Sequence, residues 1–267
     1  GVFDAVSQGA AEVGHGASSY WKGKIPAAVF FTAVPFGMTA QEMNGWLHYG
    51  GGLELWEELY APFGVIPFAG GSTGVQMAGW FNRELRSAKD LSGLKMRIPG
   101  LAGEVFDAAG GTAVRIAGGE VYTSMQTGVI DAVEWEGPYN DRTLGLNEVA
   151  EYYYYPGWHE PGAMLEFTVN STAFNQLPSD LQAIVRYAAR AANQNMLDEF
   201  TARNNESLQQ LLAAGTQLRA LPEDILSLLY EKSLDAMATL RASDFMAEKI
   251  AVSYDAFSKN VRAYHEI

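Results

Sequence analysis

Apolar and polar positions follow one pattern in two distant stretches of the chain. Residues 2–13 (VFDAVSQGAAEV) align without gaps with residues 121–132 (VYTSMQTGVIDA). In each stretch an amphipathic helical pattern ends at a glycine, which can take the left-handed conformation that closes a helix, and a short apolar run begins a strand. The pattern therefore predicts a helix-to-strand unit that the fold uses twice, and polar and aromatic residues cluster where its strands end.

The first half of the chain alternates short apolar runs with helical patterns. Residues 27–32 predict a strand, residues 41–49 and 53–60 predict helices, and glycine-rich segments at 50–52 and 70–74 predict turns or a hinge. Such alternation favours βα units around a mostly parallel or mixed sheet, and hence an α/β fold. The segment 70–74 (GGSTG) lacks the Gly-Lys-Ser/Thr ending that a phosphate-binding loop needs.

From Leu177 onward the pattern is helical. Ser179 followed by Gln182 predicts a capping box at the start of a long helix. Its apolar face comprises Leu181, Ile184, Val185, Ala188, Ala192, Met196 and Phe200. Further helices are predicted to begin near Pro222 and near residues 242–244. The last helix carries a stripe of Ile250, Tyr254, Phe257 and Val261. We expect this stripe to pack within the chain, with pairing to a second copy as the alternative.

Length and charge narrow the classes of function. With 267 residues the chain exceeds the usual size of one hydrophobic core, so two domains are expected. Lysine and arginine number 18 against 31 acidic residues, which gives a formal net charge of −13. No segment clusters basic side chains, so neither nucleic acid nor an anionic membrane surface is an expected partner. The chain has no cysteine, which excludes disulfides and thiolate metal sites.

Arg97 is the candidate for binding an anion. It ends the predicted short strand of the segment 90–100 (DLSGLKMRIPG), and a Pro-Gly turn then leads into a helix. A guanidinium beside the exposed N–H groups of a helix start can bind a carboxylate with two sets of donors. The alternative is a surface arginine in an ion pair. Arg115 lies on a comparable strand but lacks the Pro-Gly turn.

Oxygen donors form the second candidate site. Gln76 follows the glycine segment, Glu134 follows the second copy of the repeated unit, and Glu160 lies in residues 158–162 (WHEPG). Amide and carboxylate oxygens suit a hard cation such as Na⁺, Ca²⁺ or Mg²⁺. The alternative is that both carboxylates are ordinary solvated groups. Because a net charge of −13 repels anions, a bound cation and Arg97 would have to supply local positive charge together.

Aromatic residues are candidates for the pocket wall, whereas motifs for covalent catalysis are absent from the sequence. Tyr20, Phe36, Trp135 and Tyr139 are candidates for the wall of an apolar enclosure, although most aromatic residues of the chain are expected in the core. The sequence contains no Gly-x-Ser-x-Gly motif and no histidine pair at metal spacing. Glu134 and Glu136 would point to opposite faces of a strand, which makes a poor acid/base pair. Covalent catalysis is therefore unsupported.

An ordered set of motifs resembles the solute-binding proteins of TRAP (tripartite ATP-independent periplasmic) transporters, in the branch that captures 2-oxo acids or lactate. The motifs are residues 16–21 (GASSYW), 33–38 (AVPFGM), 74–81 (GVQMAGWF), 93–97 (GLKMR), 130–139 (IDAVEWEGPY) and 155–158 (YPGW). The resemblance runs from residue 2 to about residue 180. It implies a two-lobed periplasmic protein that closes about a hinge and delivers its ligand to a membrane permease.

The resemblance also implies roles for the candidate residues. Arg97 matches the carboxylate-binding arginine of the family. Gln76, Glu134, Trp135 and Glu160 match positions that coordinate a cation, either Na⁺ or Ca²⁺, in the metal-dependent branch, and Trp135 would use its backbone carbonyl. The cation in turn contacts the carboxylate and the 2-oxo or 2-hydroxy oxygen of the ligand. In the same comparison Tyr20, Phe36 and Tyr139 form the wall of the pocket, and Gln76 and Trp135 also contact the ligand.

The resemblance finally implies a division of the chain into lobes. Lobe I would hold residues 1–73 and 133–167, and lobe II residues 74–132 and 168–241, with hinges near Thr73 and Val133. Residues 242–267 would form a C-terminal helix and a candidate dimerisation element. Family members begin with a signal peptide, a first strand and a first helix ahead of the unit at residues 2–13, so we expect this front end to be missing from the sequence given.

We therefore expect a periplasmic receptor that binds a small 2-oxo or 2-hydroxy monocarboxylate with a hard cation and does not transform it. The alternative is a metal-assisted lyase or hydrolase acting on an oxo acid, because Glu134 or Glu160 beside a cation could act as a base. A third hypothesis is an assembly module that forms a homodimer through its terminal helix.

Overall fold

The computed structural model describes residues 1–265, whose strands form two sheets. The strands are β1 Val13–Gly16, β2 Val65–Gly74, β3 Gly79–Phe81, β4 Lys95–Arg97, β5 Thr112–Val114, β6 Ala132–Val133, β7 Tyr152–Tyr155, β8 Ala163–Asn170 and β9 Gln217–Ala220. The helices are α1 Val2–Ser7, α2 Ala40–Tyr49, α3 Gly52–Tyr60, α4 Gly100–Ala108, α5 Val121–Gln126, α6 Pro138–Thr143, α7 Ser171–Asn175, α8 Ser179–Ala213, α9 Glu223–Arg241 and α10 Phe245–His265. The α/β fold expected from the sequence is confirmed.

The two sheets differ in size and direction. The smaller sheet has the order β1-β8-β2 and is antiparallel. The larger sheet has the order β5-β4-β6-β3-β7-β9 and is mixed, since β4 pairs in parallel with β5 and β6 whereas β3 runs antiparallel to β6 and β7. Each sheet carries its own apolar core, with Phe31 and Trp56 buried beside the smaller sheet and Phe106 and Trp80 beside the larger.

The repeated helix-to-strand unit is present in both places. Helix α1 ends before Gly9 and leads into β1, and helix α5 ends before Gly128 and leads into β6. Both glycines have positive φ, 74° and 70°, which is the left-handed conformation expected from the sequence. The two copies belong to different sheets, so the unit feeds one strand into each half of the molecule.

The chain crosses between the sheets at places that differ in part from the expected hinges. The passage from β2 to β3 follows Gly74, close to the expected position. The expected passage near Val133 is not there, because β6 and the later strand β7 lie in the same six-stranded sheet. Strand β7 is held there by β3, where Tyr153 stacks on Trp80 with ring centroids 4.0 Å apart. The chain crosses back between β7 and β8 instead.

Two expectations for local structure are wrong. Residues 27–32 do not form a strand, since Pro26–Phe31 is a 3₁₀ helix buried in the core. Short apolar runs suit a buried strand and a buried helix equally well, and Pro26 in the first turn favours the helix here. The glycine segment 70–74 is the end of β2, so it is not a turn, and of the two expectations for it only the hinge is left. Gly70 lies so close to Phe167 that a β-carbon would not fit, which explains the glycine there.

Helix α8 begins at Ser179 but without the expected capping box. No side chain caps its first turn, and the Gln182 amide donates to the Leu177 carbonyl at 2.9 Å instead. The start of the expected apolar face is exposed at Leu181 and Ile184, and burial begins only at Ala189. This helix packs along β2 and α6, and it links β8 of the smaller sheet to β9 of the larger. In the described part of the chain, no helix has the length and apolar character to cross a membrane.

Helix α10 packs on the smaller sheet's half of the molecule. Ile250 and Tyr254 lie in the core, and the Met38 N–H donates to the Tyr254 hydroxyl at 2.8 Å. The expectation that the stripe packs within the chain is therefore confirmed for these residues. Because the apolar stripe was the reason to expect a dimer through residues 242–267, this packing removes the support for that alternative. Residues 266 and 267 of that segment lie outside the described residues.

Candidate functional site

Polar residues from both sheets line one cavity, here called the inner cavity. It is lined by Ala17, Ser19, Tyr20, Thr32, Thr73, Gln76, Arg97, Pro99, Glu134, Trp135, Glu136, Glu160, Ala163 and Leu165. Arg97 ends β4, Glu134 and Trp135 follow β6, Gln76 follows β2, and Glu160 lies in the connection before β8. The site therefore forms where strands of the two sheets end, as expected for an α/β ligand site.

Backbone hydrogen bonds hold the segments of the site together. The Glu134 N–H donates to the Arg97 carbonyl at 2.9 Å, which joins the ends of β4 and β6. The Gln76 N–H donates to the Glu160 carbonyl at 3.2 Å, and the Met77 N–H donates to the Glu136 carbonyl at 3.0 Å. The segment after β2 is thereby bonded to both carboxylate-bearing loops. Such bonds position the side chains before a ligand arrives.

Arg97 is buried and faces the inner cavity. Only 7% of its surface is exposed, which excludes the alternative of a surface arginine. Its Nη1 donates to the Glu134 carbonyl at 2.9 Å and to Glu134 Oε2 at 3.0 Å, so it is nevertheless in an ion pair. The guanidinium carbon lies 4.8 Å from the ring centroid of Trp135. These contacts fix one edge of the guanidinium and leave the rest of its donors for an anionic ligand.

The side-chain amide of Gln76 has an oxygen that is suited to bind a cation. Its Nε2 donates to the Thr73 hydroxyl at 3.2 Å, which fixes the amide. Its Oε1 is buried and has no hydrogen-bond partner within residues 1–265. A buried amide oxygen without a partner is costly, and a hard cation is a suitable partner for it. Glu134, Glu160 and the Trp135 carbonyl would complete an oxygen-rich ligand set in the same cavity.

The carboxylates of the inner cavity give it an excess of negative charge. Glu134, Glu136 and Glu160 line it together with Arg97 as the one cation of the lining. Burial, followed by the negative charge of Glu134, raises the pKa of Glu160 to about 7. Burial likewise raises the pKa of Glu136. A bound cation would relieve this repulsion, so the electrostatics and the unpartnered oxygen of Gln76 point to the same kind of ligand.

The donor set is mixed in chemistry. Among the residues that the structure describes, no group of three or more histidine, cysteine, aspartate or glutamate side chains is arranged to hold a metal ion. The ligand set expected from the resemblance has only two such side chains, Glu134 and Glu160, beside the Gln76 amide and the Trp135 carbonyl. Neutral oxygens of this kind are ordinary ligands for Ca²⁺ and Na⁺ and poor ligands for zinc, so a hard cation is the one that fits.

Two of the aromatic residues expected in the pocket wall lie elsewhere. Tyr20 is at the cavity, where 59% of it is exposed, and Trp135 lines the cavity too. Phe36 is instead packed against Trp158 and Tyr230, with ring centroids 5.8 and 5.2 Å away. Its ring packs against an apolar core of the larger sheet and is not part of the lining of the inner cavity.

Tyr139 is the second of these residues. Its ring packs edge-on against Phe200 of α8 at 5.5 Å, and Arg203 lies over its face at 5.3 Å. Its N–H donates to the side chain of Asn204 at 2.9 Å. Tyr139 therefore attaches α6 to α8 and does not belong to the lining of the inner cavity.

Glu136 is not among the residues predicted for the site, and it nevertheless lines the cavity. The alternation of a strand does not apply to it, because β6 ends at Val133 and the backbone of residues 134–136 is irregular, with a bend at Glu136. His159, which was also missed, is buried with its Nε2 3.4 Å from Glu134 Oε1. Its position next to Glu160 was the signal available in the sequence.

A buried carboxylate behind each wall of the cavity was also missed. Glu166 of β8 is fully buried and accepts hydrogen bonds from the Ser18 hydroxyl at 2.6 Å, the Tyr60 hydroxyl at 3.0 Å and the Trp21 indole. These bonds hold the 3₁₀ turn Ser18–Trp21, which carries Tyr20. Burial raises the pKa of Glu166 to about 7. An acidic residue within the apolar run 163–170 (AMLEFTVN) was the signal in the sequence.

The second buried carboxylate is Asp141 of α6, which lies against the larger sheet. Its Oδ2 accepts hydrogen bonds from the Trp80 indole at 2.9 Å and the Tyr153 hydroxyl at 2.7 Å. Its Oδ1 accepts the Glu136 N–H at 3.1 Å, which holds the loop at residues 134–136. Burial raises the pKa of Asp141 to about 7. Each half of the site is thus braced by one buried acid.

Comparison with known proteins identifies the family to which the chain belongs. Residues 1–243 match the model of bacterial extracellular solute-binding protein, family 7 (DctP). The chain is 45% identical, over 266 residues, to the monocarboxylate 2-oxoacid-binding periplasmic protein of Nostoc sp., covering 100% of this chain and 73% of that protein. The family is one of transporter substrate-binding proteins and not of enzymes.

Two solved structures are similar over almost the whole chain. One is a TRAP periplasmic solute-binding protein from Colwellia psychrerythraea with bound calcium and pyruvate, with a TM-score of 0.96 and 42% identity over 99% of this chain and 81% of that one. The other, from Pseudoalteromonas atlantica, holds sodium and pyruvate, with a TM-score of 0.95 and 42% identity over 99% of this chain and 80% of that one. The chain therefore belongs to the family 7 bacterial extracellular solute-binding proteins, as a solute-binding protein of the TRAP transporter type.

Proposed function

We propose that this chain is a periplasmic receptor that binds a small 2-oxo or 2-hydroxy monocarboxylate, such as pyruvate or lactate, together with Ca²⁺ or Na⁺ in the inner cavity. The observation that carries the proposal is the unpartnered Oε1 of Gln76, buried in the same cavity as Arg97 and Glu160. The calcium, sodium and pyruvate of the two similar structures support it.

Each residue has a distinct part in the proposed binding. The amide oxygen of Gln76, the carboxylates of Glu134 and Glu160 and the carbonyl of Trp135 hold the cation. The cation supplies the positive charge to which the carboxylate and the 2-oxo oxygen of the acid are attracted. Arg97 donates hydrogen bonds to the same carboxylate, and its ion pair with Glu134 keeps the guanidinium in position. Tyr20 forms part of the cavity wall, where 59% of it is exposed.

The proposal extends to the lobes and to the partners. We infer that the smaller sheet with α10 forms one lobe and the six-stranded sheet the other, with hinges at the crossovers after Gly74 and between β7 and β8. The membrane permease subunits of a TRAP transporter receive the ligand. A homodimer through residues 242–267 is no part of this proposal, since Ile250, Tyr254 and Phe257 of the apolar stripe are packed within the chain.

Calorimetry on an Arg97→Ala variant tests the proposed role of the guanidinium. Pyruvate is titrated into calcium-loaded wild type and variant. We expect the variant to bind at least roughly 30-fold more weakly, because truncating one partner of a buried charge pair costs about 2 kcal/mol or more.

Two further variants control this experiment. Arg97→Lys keeps the charge but not the planar pair of donors, so its loss of affinity is expected to be partial. Arg219→Ala, on β9, removes an exposed arginine whose hydrogen bonds are with Gln217 and Leu218, and it is expected to bind like wild type. Unchanged affinity in a folded Arg97→Ala variant contradicts the proposed role.

A further inference from the structure

A second cavity lies against the inner one, and we call it the outer cavity. It has a volume of about 190 Å³ and shares Ser19, Tyr20, Arg97 and Pro99 with the lining of the inner cavity. The two cavities therefore meet at the side chain of Arg97. A solute in the outer cavity reaches Arg97 along a lining that contains no carboxylate, whereas three carboxylates line the inner cavity.

The outer cavity has the opposite charge to the inner one. Lys22, Arg97 and Arg115 line it, and no acidic residue does. Arg97 is in an ion pair with Glu134, and the Lys22 ammonium is in one with Glu104, whose side chain is 58% exposed. Arg115 is exposed and makes no ion pair with the described residues. Among the three cations of this cavity, Arg115 is therefore the one whose charge is not neutralised by an ion pair with a described carboxylate.

The start of helix α4 adds to the positive potential. Pro99 and Gly100 line the outer cavity, and no side chain caps the first turn of this helix. The first N–H groups of an α-helix have no partner within the helix and carry partial positive charge. The helix start therefore adds its partial positive charge to the charges of Lys22 and Arg115 in the lining of the same cavity.

This arrangement addresses a difficulty that the net charge raises. A chain with a formal charge of −13 repels a carboxylate at long range, and the inner cavity with its three carboxylates repels it again. Clefts lined by one sign of charge concentrate ions of the opposite sign and raise their association rate. A cationic cavity next to Arg97 is what an acidic protein needs in order to capture an acid quickly.

We propose that the outer cavity is the entry route for the carboxylate ligand, and that Arg115 and Lys22 raise the rate at which the anion reaches Arg97. The proposal rests on the proposed function, because it assumes that a small carboxylate is the ligand. The two residues act on association and do not hold the bound acid. Their effect therefore belongs to the association rate constant and not to the dissociation rate constant.

Stopped-flow fluorescence of the full chain tests this. The tryptophan signal reports binding of pyruvate to the calcium-loaded protein, since Trp135 lies against Arg97. For Arg115→Gln we expect the association rate constant to fall about three- to tenfold at low ionic strength, with a dissociation rate constant within roughly twofold of wild type. The difference in association should vanish at high ionic strength, where salt screens the charge. Lys22→Gln is expected to change the rates in the same direction.

Arg219→Gln is the matched control, because it makes the same change in net charge on an exposed strand whose arginine lines neither cavity. Its association rate constant should equal that of wild type. Equal rates for Arg115→Gln and Arg219→Gln overturn the entry route. A faster dissociation of Arg115→Gln at every ionic strength also overturns it, since Arg115 would then hold the bound ligand. Wild type that does not bind pyruvate at all would instead refute the proposed function.

Discussion

At the scale of single residues, the strongest evidence for a bound ligand is one buried oxygen atom of Gln76. Gln76 Oε1 is buried without a hydrogen-bond partner in the described chain, although the amide nitrogen of the same side chain is bonded to Thr73. Leaving a buried acceptor unpaired costs roughly 1–3 kcal/mol. The fold accepts this cost at the point where Glu134 and Glu160 also converge. Such a cost is typical of a functional site, where ligand binding offsets it.

Replacing Gln76 with leucine separates function from stability. Gln76→Leu removes the oxygen ligand and also removes the unpaired buried acceptor. We expect the affinity for calcium to fall at least about tenfold, as for the loss of groups around a metal. The free energy of unfolding of the metal-free protein should stay within about 1 kcal/mol of wild type. Calcium calorimetry and urea denaturation measure the two quantities, with Gln41→Leu on the surface of α2 as control. A variant that binds calcium normally but is unstable contradicts this account.

Glu166 predicts a dependence of stability on pH. Its pKa is raised to about 7 in the folded protein from an ordinary value of 4.5. The folded state therefore holds this proton more tightly than the unfolded chain does. The group stabilises the fold below pH 4.5, and this stabilisation is lost as the pH rises through about 7.

A comparison with Glu166→Gln isolates this effect, because glutamine stays neutral and other titrating groups are common to both proteins. The unfolding free energy of the variant minus that of wild type should increase by up to about 3 kcal/mol when the pH is raised from 5 to 8. Urea denaturation at the two pH values measures the difference. The same pH dependence for both proteins means that Glu166 titrates normally in the folded state.

The sequence predicted the polar residues of the cavity better than its aromatic wall. Arg97, Gln76, Glu134 and Glu160 all line the inner cavity, and they were candidates because few side chains can bind a carboxylate or a hard cation. The aromatic wall was predicted less well, because an aromatic ring is equally suited to a pocket wall and to a core. Phe36, for example, packs in the core. Whether a ring faces a cavity depends on its packing partners, which are distant in sequence.

At the scale of elements, the amphipathic patterns were reliable where they were long. The two copies of the helix-to-strand unit, the helices of residues 40–60 and the three C-terminal helices all appear in the structure. Short apolar runs were not reliable, as the 3₁₀ helix Pro26–Phe31 shows. A run of six apolar residues contains too few turns to distinguish periods of 2 and 3.6, so tertiary packing decides its form.

Helix α10 offers a prediction about one hydrogen bond. The Met38 N–H donates to the Tyr254 hydroxyl at 2.8 Å in the core. Tyr254→Phe keeps the ring but leaves this buried N–H without its acceptor. We expect a loss of about 1–3 kcal/mol in unfolding free energy. Tyr187→Phe, at a site that is 73% exposed, is the matched control and should change stability by less than about 0.5 kcal/mol. Equal stability of the two variants contradicts the packing of α10.

At the scale of the whole molecule, one small ligand contacts residues from both sheets in the proposed complex. Ligand donors come from segments of both sheets, so a bound acid and cation favour the arrangement in which these segments are together. The sequence predicted two lobes but placed one hinge near Val133. That boundary depends on the pairing of β7 with β3, a contact between residues about seventy positions apart that no local pattern encodes.

The central claim is that cation and acid bind together, and metal removal tests it most directly. Pyruvate is titrated by calorimetry into wild type stripped of metal with a chelator, and into the same protein reloaded with calcium or sodium. The account predicts binding to the reloaded protein and a loss of at least about tenfold in affinity without metal, because Arg97 alone faces three carboxylates. Equal affinity for pyruvate with and without metal would contradict the account.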